Sequence, residues 1–379
     1  MHALDHYGLS ASHGFLSRRE IDDIALPPEF DAVEDAAAML PDYLASGRVR
    51  HWLARLPLPD VAGFVAEAAE AELGVAMLRY GFLAQAWVWG EEVPVASLPA
   101  NLAVPLATLA DRLGLKPIMT YQHYVLDNWF RLDKAGDIAL GNLAIDQHFA
   151  GGRDESGFIL VHVAIEAVAG RAIAAAVDLV NAAEAQDVPA TERLLSELHR
   201  ALAAINAGLE PMMTACDPHI YFHRVRPYLF GWPGPGIVYE GVEAFGGKPV
   251  PLRGQTGSQS SIVPAIDAAL GVPHGASALS TFLDEMHRYR APRHRALIDD
   301  LRASRVRDIA AAHSGTREAY NACVGALAAF RTAHLTLAAT YISAQAARAG
   351  AEGETGTGGT PFLTYLARHR DDSRAAFLH

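Results

Sequence analysis

A chain of 379 residues with a formal net charge of −12 and 51% hydrophobic residues can bury a large core, and it lacks the excess of basic residues that a nucleic-acid binder presents to phosphates. Charged residues make up 20% and alanine is abundant, so the chain reads as globular and helical rather than disordered. The two cysteines, Cys216 and Cys323, form no CxxC pair, Met1 to Ser10 carries no secretory signal, and no stretch reaches the ~20 uninterrupted apolar residues of a bilayer span, so a cytoplasmic protein with no nucleic-acid or membrane partner is expected.

Residues 1–30 read as an arm of short turns ending at Pro27 and Pro28. A helical pattern follows to about Leu56, with Pro41 placed to split it, and Asp60 can cap a long helix running to about Trp89. Gly90, Pro94 and Pro99 break the chain before a helix over 103–113. The aromatic segment Thr120 to Arg131 and a glycine-rich connection over 132–157 come next, and a domain boundary is expected near residue 150. Helices are expected over 158–186, apolar nearly all round, and over 190–208 and 219–231. Residues 232–261 read as a long ordered loop of the kind that carries function. Helices are expected again over 262–270, 277–289, 293–303, 316–347 and 361–377, with a glycine-rich, mobile stretch from Arg348 to Thr360.

Four constellations can carry chemistry. On the helix 316–347, Cys323, Leu327, Phe330, His334, Leu337 and Tyr341 fall on one stripe, with His334 in its centre. Such a histidine is either a core residue bonded to a backbone carbonyl or an axial haem ligand, because haem iron takes a neutral imidazole in an apolar slot. His219 and His223 stand four apart without a third ligand, which favours two partly exposed histidines over a metal site. Arg226, among Tyr221, Phe222, Tyr228, Phe230 and Trp232, is either stacked structurally or placed to fork a carboxylate. His162 and Glu166, also four apart, are either a buried hydrogen-bonded pair or a distal-pocket histidine with a neighbouring acid. The run 356–360 is not a P-loop and 257–261 is not a nucleophile elbow, though both can offer N–H and hydroxyl donors.

An ordered series of segments then resembles the indoleamine 2,3-dioxygenase family from about Leu26 to Ala367. It comprises Ala86-Trp87-Val88-Trp89-Gly90, Leu98-Pro99-Ala100-Asn101-Leu102, Tyr121 with Val125-Leu126 and Asn128-Trp129, Gly157-Phe158, Arg226 with Tyr228-Leu229 and Gly231-Trp232, Val238-Tyr239-Glu240-Gly241, Gln259-Ser260-Ser261, Arg317-Glu318-Ala319-Tyr320, and Gly356-Thr357-Gly358-Gly359-Thr360. The resemblance implies an all-α fold, with a small N-terminal helical domain over 1–149 that forms part of the distal pocket and a large helical haem domain over 150–379. It implies haem b, with iron held by His334 and the cofactor also touched by Phe230 and Ser258. It puts Arg226 on the substrate carboxylate, Thr357 on a loop over the amino-acid backbone, and Tyr121, Tyr124, Val125, Phe158, Tyr221 and Phe222 on the pocket wall; Asp267 matches an aspartate near the haem. It further implies an indole and O₂ as partners, with insertion of both oxygen atoms across the C2–C3 bond. L-tryptophan, giving N-formylkynurenine, is the expected substrate. Indole or a derivative without the carboxylate, and a haem sensor without turnover, are the alternatives. His162 stands where the family's animal enzymes carry serine and is expected to orient the indole N–H; Tyr124, Tyr221 and Phe230 also depart from the animal pattern. A bacterial member of the family is expected.

Overall fold

The computed structural model describes residues 1–275, 277–350 and 355–379 and is all-α apart from four two-residue strands. The N-terminal half begins with α1 (Asp31–Ala38), α2 (Leu40–Ala45) and α3 (Val49–Leu53), divided near Pro41 as the sequence predicts. The single long helix expected from Asp60 is instead two, α4 (Val61–Glu67) and α5 (Glu70–Trp89). Asp60 does cap the first, its carboxylate accepting from Gly63 N at 3.0 Å. The break comes at Ala68 and Ala69, both extended, where the Glu72 carboxylate takes the Ala69 N–H at 2.7 Å and starts a new helix. Helix α6 (Ala100–Leu113) follows β1 (Ser97–Leu98), and β2 (Phe130–Arg131) pairs antiparallel with β3 (Leu143–Ala144) in the connecting segment.

The second half is organised by α7 (Arg153–Glu184), which packs along α8 (Val188–Ala207). Glu155 in the first turn of α7 accepts the N–H groups of Phe149, Ala150 and Gly151, so the incoming loop is held by the helix it leads into. The helix expected over 219–231 is shorter and irregular. After α9 (Met212–Ala215), α10 (Pro218–Ile220) passes into a π-helical turn over Tyr221–Val225 and a 3₁₀ turn over Arg226–Leu229, since Pro227 denies the chain a regular helical N–H there. The long loop then carries β4 (Val238–Tyr239), parallel to β1.

Helices α11 (Ile262–Leu270), α12 (Ala278–His287) and α13 (Pro292–Leu301) lie near their expected places, and α14 (Val306–Ala312) was not anticipated. Helix α15 (Ser314–Ala338) continues through a π-helical turn over Ala339–Ser343 into α16 (Ala344–Ala349). It packs between α8 and the C-terminal helix α17 (Phe362–Ala375). Buried apolar side chains from Tyr7 to Ala376 form one contiguous core. Two segments, Arg153–Glu184 and Ser314–Ala349, are long and apolar enough by length and composition to cross a membrane, although neither holds ~20 uninterrupted apolar residues. In this fold both pack against other helices, and α7 carries the buried Glu155 and Glu166.

Candidate active site

His334 lies one helical turn beyond Arg331 on α15, and its ring faces a cavity of about 600 Å³ walled by Phe330, Ile165, Leu209, Val263 and His162. A smaller adjoining cavity of about 160 Å³, lined by Phe158, Tyr221, Leu337 and Thr357, shares Tyr121, His162, Gly257, Ser258 and His334 with the first. Burial, and then the neighbouring His162, pull the His334 pKa down to about 4, so the imidazole is neutral near pH 7. A neutral imidazole on a rigid helix, facing a large and mainly apolar space, is what an axial haem ligand requires. Gly257 comes close enough that a Cβ there would sit 3.9 Å from His334 Cε1, so the loop carrying Ser258 borders the ring. The residues present therefore fit haem.

Opposite, His162 of α7 donates from Nδ1 to the Phe158 carbonyl at 2.7 Å, which leaves Nε2 as the acceptor. Burial holds His162 below the usual imidazole range. The alternative pairing with Glu166 does not form. Glu166 accepts instead from Tyr121 OH at 3.0 Å and from Ser260 Oγ at 2.9 Å, with its second carboxyl oxygen buried and unpartnered. Burial raises its pKa to about 7, despite the two donors. The loop 257–261 is pinned by Arg290, which donates to Ser258 O at 2.7 Å and to Ser260 O at 3.1 Å, while Gln259 accepts from Tyr121 N at 2.9 Å. Arg290 carried no signal in the sequence, because its partners are backbone carbonyls distant in the chain.

The expected pocket residues separate into two groups. Tyr121, Phe158, His162, Tyr221, Ser258, His334 and Thr357 line the cavities. Tyr124, Val125, Phe222, Arg226 and Phe230 do not. Tyr124 and Val125 are fully buried one layer behind, Tyr124 stacked with Phe82 and Phe149, because the π-helical turn Gln122–Leu126 sends them into the core. Phe230, expected at the cofactor, lies between Trp89 and Arg226. Arg226 is buried between the rings of Phe222 and Phe230, 5.4 and 4.6 Å from their centroids. One terminal nitrogen donates to Thr355 O at 2.6 Å and Nε is buried without a partner. Burial pulls its pKa below the usual guanidinium value, and no carboxylate of the described residues opposes that. Two residues along, Thr357 Oγ1 donates to Gln255 O at 2.6 Å. Residues 351–354 of the expected mobile stretch lie outside the described residues.

Asp267, on α11, forms a buried ion pair with Arg331, which joins α11 to the turn before His334 along the lining of the larger cavity. Burial opposes its ionisation, yet Arg331 and His274 hold the carboxyl below its usual range. His219 and His223 are exposed with ring centroids 4.5 Å apart and are joined by no third ligand among the described residues.

Comparison with known proteins gives a consistent picture. The family model described as "Indoleamine 2,3-dioxygenase" matches residues 3–376. Rat indoleamine 2,3-dioxygenase 1 is 32% identical over 99% of this chain and 96% of its own length. Human indoleamine 2,3-dioxygenase 2 is 30% identical over 100% and 96%. A protein of the abalone Haliotis diversicolor named myoglobin is 30% identical over 98% and 97%.

Proposed function

We propose that this chain, which belongs to the indoleamine 2,3-dioxygenase family, opens the pyrrole ring of L-tryptophan to give N-formylkynurenine. Family membership makes it a dioxygenase, an oxidoreductase; the particular indole is our reading. The observation that carries it is Arg226. A buried guanidinium with an unpartnered Nε, no opposing carboxylate among the described residues and the Thr355 carbonyl as its hydrogen-bond partner there is prepared for an anionic ligand. An indole without a carboxylate would leave it unbalanced.

In this reading His334 holds haem b, which supplies the iron chemistry that activates O₂ for insertion across the C2–C3 bond. The chain's own residues do the rest. The indole lies against Phe158, Tyr221 and Tyr121, and its N–H donates to His162 Nε2, whose tautomer is set by the Phe158 carbonyl. Arg226, which lies outside both cavities and holds the Thr355 carbonyl, would take the carboxylate in exchange for that carbonyl as the segment 355–360 shifts, and Thr357, on the lining of the smaller cavity, would take the amino-acid backbone. The division near residue 150, a cytoplasmic location and a bacterial origin belong to the same reading.

The test is to supply the reduced, haem-loaded chain with O₂ and L-tryptophan and to follow N-formylkynurenine. Stoichiometric product is expected, with His334→Ala losing haem or showing five-coordinate iron restored by added imidazole. Turnover of indole or tryptamine but not tryptophan would move the substrate to an indole without a carboxylate. Reversible O₂ binding with no indole consumed would favour a haem carrier, the reading that the similarity to a chain named myoglobin keeps in view. An unchanged Soret band in His334→Ala would overturn the ligand assignment.

A further inference from the structure

Three residues that neither the proposed reaction nor the family motifs use converge from two elements, two of them, His274 and His369, on the lining of the larger cavity. His369 and Asp372 stand three apart on one face of α17, and His274 lies in the loop that follows α11. One ligating atom from each lies within 4.8 Å of the others. We infer that His274, His369 and Asp372 form a site for a divalent cation of the zinc type.

Two observations carry this. The first is the bonding of His274. Its Nε2 lies 3.1 Å from the Asp267 carboxylate and its Nδ1 lies 3.1 Å from that of Asp372. A neutral imidazole has one N–H. Donated to Asp267, which is already fixed by Arg331, it leaves a lone pair on Nδ1 facing a carboxylate oxygen. Two acceptors at that separation require a cation between them, either a second proton or a metal. A carboxylate that takes the far N–H of a ligating histidine is the common outer support of a zinc ligand, and Asp267 occupies that place. The second observation is His369, whose Nδ1 is buried with no hydrogen-bond partner. Bonding to a cation shared with His274 and Asp372 would satisfy it, whereas a proton held between those two residues would not.

The ligand chemistry sets the class of ion. Two imidazole nitrogens and one carboxylate oxygen suit Zn²⁺ and its transition-metal neighbours, while Mg²⁺ and Ca²⁺ favour all-oxygen sets. Arg331 balances Asp267, so Asp372 supplies the site's negative charge. His274 and Asp372 retain 23% and 22% side-chain exposure, which leaves room for an entering ion and a water as fourth ligand. An ion here would clamp α17 to the loop after α11. Through Asp267 and Arg331 it would also brace the turn of α15 that precedes His334.

The experiment titrates Zn²⁺ alone into the haem-loaded chain by calorimetry, so that His334 is already engaged. One equivalent is expected, with a rise in Tm. His369→Ala and Asp372→Asn should each weaken binding by roughly ten- to hundred-fold and abolish the rise, with circular dichroism unchanged in both and the Soret band unchanged in Asp372→Asn, whose side chain lines neither cavity. Asp372→Asn keeps the shape of the side chain and serves alone should His369→Ala not fold. His219→Ala/His223→Ala should bind as the parent does. Absence of stoichiometric binding, undiminished binding in Asp372→Asn, or binding confined to the haem-free chain would each overturn the site and leave His274 as a doubly protonated bridge between two carboxylates.

Discussion

Sequence neighbours set only part of what Arg226 and His162 do. The aromatic company of Arg226 was visible in the sequence, and the structure bears it out with two ring faces; that the charge meets no carboxylate among the described residues could not be read from the segment. Removing it should cost about 1.5–3 kcal/mol of transition-state binding, roughly ten- to hundred-fold in kcat/KM for L-tryptophan. Arg226→Lys should also be poor, since lysine lacks the fork, and tryptamine turnover should hardly change. An equal fall for both substrates would show that Arg226 supports only its aromatic neighbours. For His162, the i, i+4 spacing to Glu166 left two readings open, and the structure removes the pairing because each side chain has a different partner. With Nε2 free to accept an indole N–H, 1-methyltryptophan should be a poor substrate. His162→Ser should lose a few-fold to ten-fold in tryptophan turnover and narrow the gap between the two compounds, with haem content intact. The same substrate ratio before and after would remove His162 from substrate orientation.

At the level of elements, helix periodicity and capping located most of the framework, and the misses have local causes. Glu72 restarting a helix at Ala69 splits the expected helix after Asp60, and the π-helical turns at Gln122–Leu126 and Tyr221–Val225 shift residues around the helix axis. A one-residue bulge of this kind sends Tyr124 and Val125 into the core, although a regular count would keep them with Tyr121. Close approach of elements is equally hidden. A Cβ on Gly157 would lie 2.0 Å from the Ala215 carbonyl, so α7 meets the end of α9 only because that residue is glycine. Gly157→Ala is expected to destabilise the protein by about 1–3 kcal/mol and, by displacing Phe158, to raise KM for the indole. Equilibrium unfolding and steady-state kinetics check both parts, and a neutral effect on each would show that the contact relaxes without consequence.

For the whole molecule, buried acids tie stability to pH. Burial raises Glu166 from its ordinary 4.5 to about 7, so the folded state binds this proton more tightly than the unfolded chain does. Its favourable contribution is therefore complete below about pH 4.5 and is lost as pH rises to about 7, by a total of about 3 kcal/mol. Glu166→Gln cannot lose that proton, so its stability relative to the parent should improve by a similar amount between about pH 5 and pH 8 in urea unfolding. A parent–variant difference that stays constant over this range would mean that the carboxyl ionises in place without penalty. The same scale separates two kinds of information. Helical class, the placement of most long helices, the stripe carrying His334 and the ordered family motifs are local or collinear properties, set by side-chain period, propensity and order along the chain, so they were legible in the linear text. Which motif residues share a cavity, the Tyr121–Glu166–Ser260 network, the grip of Arg290 on the loop 257–261 and the convergence of His274 with His369 and Asp372 join positions far apart in the chain. They depend on how helices pack and where their turns slip by a residue, and that is decided only when the core closes and each buried polar group must find a partner.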